Sequence, residues 1–485
     1  MRRTSQRKAE QTRRDFLRAA ACAACTTQAL VNTVWDLRLM NAALAAATPD
    51  AFTDYKALVC LFLYGGNDAN NTTIPTSPAD FATYATRRGV LALPRPPLLP
   101  INVLNSDGRT WGLHPNCAEL QSLFNLNKAA VVCNVGTLVG PLSLAQYQNN
   151  TAAKPPQLFS HNDQQVQWMT SIPDQPPQTG WGGRCADLLM SAAYGANPNT
   201  DVSMSITVGG TNTFEVGSSV NQYSVSSNGT VVQYATGNGG TSRLQVMRDL
   251  FADASGAINL FQSEVGKISK RADDNAQAMG KVFNNTLNPP LATVFPNSSL
   301  GNQLRTIARI IKARLAGASI PEFAGFNRQI FFASVGGYDT HGDQLLTHAN
   351  LMNELSEGIG AFYNAMTELS LGNKVTLFTA SDFGRTFATN GVGSDHAWGN
   401  HQIVVGDAVD GGKLYGTMPS IVLGNSQDVG QGRWIPTTSV DQYSATLARW
   451  FGVSDAGPAG TTDIDLIFPN LVRFAPRYLD FLPAA

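Results

Sequence analysis

Six short apolar runs, each closed by glycine, restrict what this 485-residue chain can become: "ALVCLFLYGG" (Ala57 to Gly66), "AAVVCNVG" (Ala129 to Gly136), "SMSITVGG" (Ser203 to Gly210), "QIFFASVGG" (Gln329 to Gly337), "KVTLFTASDFG" (Lys374 to Gly384) and "SIVLG" (Ser420 to Gly424). Their hydrophobicity is continuous instead of alternating, so each reads as a strand covered on both faces. Helical patterns lie between several of them. From Leu345 through Ala349, Met352, Leu355, Ile359, Phe362 and Met366 to Leu369, apolar residues recur every three or four positions, one face of a long helix. Strands alternating with helices predict an α/β three-layer sandwich with a central, mostly parallel sheet. A Gly/Ser/Thr-rich stretch from about 211 to 241 breaks the pattern and reads as a small inserted β-hairpin or meander, with turns at Asn228–Gly229 and Asn238–Gly239. Residues 48–485 are expected to form a single domain carrying that insertion.

The first 47 residues have another layout. Arg2, Arg3, Arg7, Lys8, Arg13, Arg14 and Arg18 precede a small-residue apolar run from Ala19 to Val34, and "ALAAA" (Ala43 to Ala47) supplies a cleavage site. Within "TRRDFLRAA", the pair Arg13 and Arg14 two residues before Phe16 and Leu17 resembles a twin-arginine signal, read by the machinery that exports folded proteins. Residues 1–47 are therefore expected to be a twin-arginine signal peptide, and the mature protein to be periplasmic or extracellular. The 34 basic and 35 acidic residues of the whole chain become 26 and 32 once those 47, with eight basic and three acidic, are set aside; the net charge of −6 argues against a nucleic-acid partner. No later run of 18 uncharged apolar residues predicts a transmembrane segment. The mature cysteines, Cys60, Cys117, Cys133 and Cys185, are too few for a disulfide scaffold; a Cys117–Cys185 bridge is the pairing an oxidising compartment would allow.

In parallel α/β sheets, ligands bind at the carboxyl ends of the strands, and the polar residues of this chain gather there. Asp68 follows the first run, Asp339 and His341 follow "IFFASV", Asp382 follows "VTLFTAS", and "SDHAWGNHQIVVG" carries Asp395, His396 and His401. Glycines allow tight turns that send the next side chain back over the sheet edge. Carboxylates and neutral imidazoles converging from separate strand ends are a donor set for Zn²⁺, Mn²⁺ or Mg²⁺. An aspartate after a strand also caps the next helix, the role expected of Asp343 before the Leu345 helix; His348 reads as packed, and His114 as structural or rim-lining.

The order of "TRRDFLR", "VCLFLYGGNDANNTTIP", "LHPNCAELQSLFNLNKAAVVCNVG", "LFSHNDQQVQWMTS", "GWGGRCAD", "VGGYDTHGDQ", "FTASDFGRTFATNGVGSDHAWGNHQIVVG" and "DQYSATLARWFGV" resembles the bacterial exported family known as domain of unknown function 1501, from the leader to about Phe468. That family is distantly similar to the alkaline phosphatase and sulfatase superfamily, whose members hold two metals. The resemblance implies an alkaline-phosphatase-like fold in which Asp68, Asp339, His341, Asp382 and His401 bind metal, His396 substitutes for a missing ligand, and Ser160 is the nucleophile, with Thr72 or Thr73 the alternatives. Arg385 and Asn70 would hold ester oxygens. Phe383 stands where a second metal-binding histidine is expected and cannot coordinate. The implied activity is metal-dependent hydrolysis of a small anionic phosphate or sulfate ester. The alternative is a non-catalytic cell-envelope or assembly protein on a degenerate version of that fold.

If the leader is read by the twin-arginine receptor, replacing Arg13 and Arg14 together with lysine blocks translocation and leaves folding intact. Unchanged periplasmic yield in cell fractionation would remove this assignment.

Overall fold

The computed structural model describes residues 52–191, 194–197, 202–229, 240–256 and 259–484. The leader and the turn expected at Asn238–Gly239 lie outside the described residues. Twelve strands are present among those described: β1 (Lys56–Leu63), β2 (Thr73–Pro75), β3 (Leu99–Ile101), β4 (Trp111–Leu113), β5 (Ala129–Gly136), β6 (Ser205–Thr207), β7 (Tyr223–Ser224), β8 (Arg328–Val335), β9 (Val375–Ser381), β10 (Asn400–Val405), β11 (Leu414–Tyr415) and β12 (Thr438–Ser439). Nine form one sheet in the order β11-β5-β10-β9-β1-β8-β6-β7, with β12 also on β5; β2, β4 and β3 form a small separate sheet. Within the large sheet β10 alone runs against its neighbours, so the architecture is the expected mostly parallel α/β sandwich.

Side chains alternate across β1 and bury on both sides, which is why the run reads as unbroken hydrophobicity. Val59, Leu61 and Leu63 join a core with Met352, Leu355 and Ile359 of the helix Gln344–Glu368 and with Leu304, Ile307 and Ile311 of the helix Ser299–Ala313. Leu58, Cys60 and Phe62 join a second core with Trp181, Cys185 and Leu188 of Trp181–Leu189 and with Tyr443, Leu447 and Trp450 of Val440–Phe451. Each such buried side chain contributes about 1.5–3 kcal/mol.

Three expectations are corrected. "SIVLG" is not a strand: Pro419 precedes it in a short turn, where the Asn425 amide donates to the Ser420 and Val422 carbonyls and satisfies backbone that a sheet would otherwise pair. Asp343 stands at the N-cap of its helix with φ +46 and makes no side-chain capping bond. Cys117 and Cys185 lie in cores on opposite faces of the sheet, so no bridge joins them, and all four described cysteines are free and buried. In the Gly/Ser/Thr-rich stretch, the described strand β7 pairs in parallel with β6 at the sheet edge, and the helices Gly240–Ser255 and Leu260–Val282 follow.

Buried titratable groups set opposing pH dependences. Burial lowers His114 and His348 to about 3 and His401 to about 4, so these rings stay neutral in the fold, and their contribution is lost as pH falls from about 6.5 toward those values. Burial raises Glu215 to about 8 although Asn212 hydrogen-bonds it, so its contribution is full below the ordinary carboxylate range and is lost as pH rises to about 8. Glu215→Gln is therefore expected to flatten the decline in Tm between pH 6.5 and 8. Parallel Tm profiles for variant and wild type would show that Glu215 is ionised in the native state.

Candidate functional site

The register of the sheet brings three strand ends side by side: Leu63 of β1 pairs with Val335 of β8 and with Ser381 of β9. The chain turns immediately beyond each end. Gly65 has φ +113, and a Cβ there would stand 2.3 Å from the Asp339 amide, so only glycine lets the two turns pass. Gly337, at φ +96, swings the β8 turn toward Asp339 and His341. Because β10 is antiparallel, its start lies at the same edge as the ends of its neighbours, and the loop before it delivers His396.

His161, Asp339 and His396 each place one donor atom within 4.8 Å of the others. The Nε2 atoms of His161 and His396 are 3.1 Å apart, and Asp339 lies 3.3 Å from His396 Nε2 through Oδ1 and 3.5 Å from His161 Nε2 through Oδ2. His341 Nε2 adjoins them, 2.9 Å from His396 Nε2 and 3.1 Å from Asp339 Oδ1. The tautomers follow from the partners on the far side of two rings. His161 Nδ1 lies 2.6 Å from the Asp382 carboxylate and His396 Nδ1 2.7 Å from the Phe159 carbonyl; both partners only accept, so each Nδ1 carries the proton. Each neutral ring then turns an Nε2 lone pair toward the other, an arrangement that repels unless a cation or an added proton lies between them. A tetrahedral ion with bonds of about 2.0–2.2 Å spaces its ligands by roughly 3.3–3.6 Å, close to the separations within this triad. The residues fit a metal ion.

Supporting contacts hold the cluster in place, as expected where ligand orientation matters. Asp382 is buried and fully engaged: Oδ2 accepts from His161 Nδ1 and from Gln165 Nε2 at 2.8 Å, and Oδ1 from the Gly65 amide at 3.1 Å. It therefore orients His161 instead of joining the donors. The buried Arg385 donates from Nη2 to Asp339 Oδ1 at 2.7 Å, and Asn70 donates to the Arg385 carbonyl; Nε and Nη1 of Arg385 have no hydrogen-bond partner among the described residues. Phe383 packs its ring 4.8 Å from His161 and 4.7 Å from His396, bracing the imidazoles it cannot replace. The hydrogen bond to Asp382 raises the pKa of His161 against burial, whereas burial lowers that of His396; burial would raise Asp339, but Arg385 brings it below its ordinary value.

The other sequence candidates lie outside the donor triad. Asp68 is buried against Arg88, which donates to its Oδ2 together with Gln344; the same guanidinium holds Asn71 and the Thr386 and Phe387 carbonyls. His401 accepts at Nδ1 from the Asn134 amide, 2.9 Å away, and makes no described contact with the cluster. Ser160 is the N-cap residue of the helix His161–Thr170, and its hydroxyl donates to Asp163 at 2.6 Å. Thr72 bonds the Asp68 carbonyl, and the Thr73 hydroxyl is buried with no hydrogen-bond partner. Sequence reasoning put Ser160 ahead of its neighbour His161 and passed over Arg88; the adjacency of a histidine to "ND" in "SHND" was the available signal for the first. An open cavity of ≈390 Å³ adjoins the cluster, lined by Phe159, His341, Asp395, His396, Val429 and Arg433.

The family described as Protein of unknown function (DUF1501) matches residues 55–459. No curated protein matches the chain in sequence. Solved structures that align with it include the PsFucS1 sulfatase from Pseudoalteromonas sp., at 9% identity and a TM-score of 0.35 over 90% of this chain and 75% of that one. Another is Ps i-CgsB in complex with k-i-k-neocarrahexaose, at 8% identity and a TM-score of 0.30 over 79% and 76%. Among the described residues no helix is long and apolar enough to cross a membrane.

His161→Ala is expected to weaken metal binding by orders of magnitude and Asp382→Asn by about 10–100-fold, whereas His348→Ala, whose ring meets Asn67 within the core, leaves it nearly unchanged. Metal content after dialysis of each variant checks this, and equal loss in all three would refute the assignment.

Proposed function

The chain belongs to the family of proteins of unknown function numbered DUF1501, and from its own side-chain geometry we propose that it is an exported metal-dependent hydrolase of phosphate or sulfate esters with one divalent cation at His161, Asp339 and His396. The observation that carries this is the pair of imidazoles whose Nδ1 atoms are committed to Asp382 and Phe159 while their Nε2 atoms face each other at 3.1 Å. Three protein donors fit a catalytic site with room for a ligand, and the two imidazole donors favour Zn²⁺ over Mn²⁺ or Mg²⁺. A cation held there supplies Lewis acidity, neutralising charge on the ester and favouring an ionised nucleophile.

The chain's own residues do the rest. Asp382 and the Phe159 carbonyl keep both imidazoles in the tautomer that binds. Arg385 fixes Asp339. His341, with Asp395 3.3 Å from its Nδ1, borders the cavity where an ester would lie, as a further ligand or a polar contact. Ser160 is the candidate nucleophile, and the carboxylate of Asp163 is placed to take its proton. Export of a folded, metal-loaded chain fits the twin-arginine leader. A second reading, a metal-binding envelope or assembly protein without catalysis, is favoured by the pairing of Asp68 with Arg88.

Elemental analysis and chelation separate these readings. The hydrolase reading expects stoichiometric metal, a lower Tm with chelator, chelator-sensitive cleavage of 4-nitrophenyl esters and loss of the metal below about pH 6 as the imidazoles protonate. Stoichiometric metal without cleavage would leave the non-catalytic reading, and absence of metal would reduce the cluster to hydrogen bonding.

A further inference from the structure

We propose that Arg433 is the specificity residue of the cavity beside the cluster, and that it anchors the head of a singly charged tetrahedral ester, a sulfate monoester or phosphate diester, bearing an apolar or aromatic group. This narrows the hydrolase reading and rests on its metal cluster. Arg433 is half-buried, lines the ≈390 Å³ cavity together with His341 and His396, and forms no described ion pair. Its Nε donates to the His396 carbonyl at 2.8 Å and its Nη1 to the Gly430 carbonyl at 3.3 Å; among the described residues Nη2 donates to no protein acceptor. A half-buried guanidinium with neither a carboxylate nor a full set of acceptors is suited to an incoming anion, which it can meet through paired N–H groups.

The arginine is also held in place before any ligand arrives. Asp428 accepts from the amides of Gly424, Gly430 and Gly432 at 2.7–2.8 Å, folding the loop that carries it, and the guanidinium lies 5.5 Å from the Phe159 ring centroid. Phe159 itself has φ +71, uncommon for an aromatic residue; in that conformation its carbonyl reaches His396 while its side chain lines the cavity. With Val429 it gives the cavity an apolar wall beside the cation.

Charge then selects the head group. Arg385 and Arg433 with a divalent cation bring four positive charges, and Asp339, Asp382 and Asp395, with the Asp163 that faces Ser160, bring four negative ones. A monoanion then adds one uncompensated negative charge, whereas a phosphate monoester, a dianion well above its second pKa of about 6, adds two, so the monoanion is favoured.

The test is equilibrium binding of phenyl sulfate, diphenyl phosphate and phenyl phosphate at pH 8 to the metal-replete mature protein, with metal content measured in parallel. Phenyl sulfate or diphenyl phosphate is expected to bind at least about tenfold more tightly than phenyl phosphate, the better of the two identifying the natural head group. Arg433→Gln should weaken that binding by about tenfold or more, Arg433→Lys should restore part of it, and metal content should stay constant. Tightest binding of phenyl phosphate, unchanged affinity in Arg433→Gln, or loss of metal in that variant would overturn the proposal; the last would mean that Arg433 acts only by holding the His396 backbone. Should Arg433→Gln fail to fold, the ester ranking in wild type and the Arg433→Lys affinity decide. Selective, Arg433-dependent binding without turnover would sustain the anchor and remove the hydrolase reading, whereas a wild type that binds neither metal nor ester overturns both.

Discussion

Leu63 stands between Val335 and Ser381 in a parallel register, and the candidate site depends on that pairing. A strand period of two makes register all-or-none: a slip by one residue would turn Leu58, Cys60 and Phe62 toward the wrong core and displace the turn at Gly65 from the Asp339 backbone. Two apolar cores therefore fix the position of a polar cluster to which they contribute no ligand. The strands end together, and the turns that follow must carry polar groups because there the sheet meets solvent.

Within the cluster, the decisive bonds are on the sides of the imidazoles that face away from it. Had Asp382 or the Phe159 carbonyl been missing, His161 and His396 could exchange tautomers and resolve their contact with an ordinary N–H···N bond. With both Nδ1 protons committed, the rings have no neutral solution, and only a cation or an added proton can occupy the space between them. The pKa displacements are opposite, His161 upward through its hydrogen bond to Asp382 and His396 downward through burial.

The fold was legible because doubly buried strands leave continuous apolar runs, a signal strong enough to survive the insertions between them. "SIVLG" misled because four apolar residues cannot be told from a turn when Asn425, beyond the run, supplies the hydrogen bonds. Strand-end position drew attention to Asp339, His341, Asp382 and His396, which the structure brings close together, but could not tell their settings apart: Asp339 and Asp382 look alike in sequence, and only their partners differ. His161 begins a helix far along the chain from both, so its convergence is purely tertiary. Arg88 in "ATRRGV" has the appearance of an exposed residue in the last helical turn, and nothing local shows that it is buried against Asp68.

Arg88 also explains how Asp68 can be kept in the interior beside the candidate site. A carboxylate as buried as Asp68 needs a countercharge, because leaving it unpaired in the interior costs several kcal/mol. A metal could meet that need only while bound; a guanidinium meets it permanently, and the Asn71, Thr386 and Phe387 acceptors satisfy its remaining donors. The fixed ion pair commits Asp68 Oδ2, leaves Oδ1 without a described partner, and joins the β1 turn to the helix Pro78–Arg88 and to the chain after β9. In the proposed site, exchangeable charge is then confined to the solvent-facing triad, next to the only cavity-lining arginine described there, and the deeper position serves to hold the strand ends together.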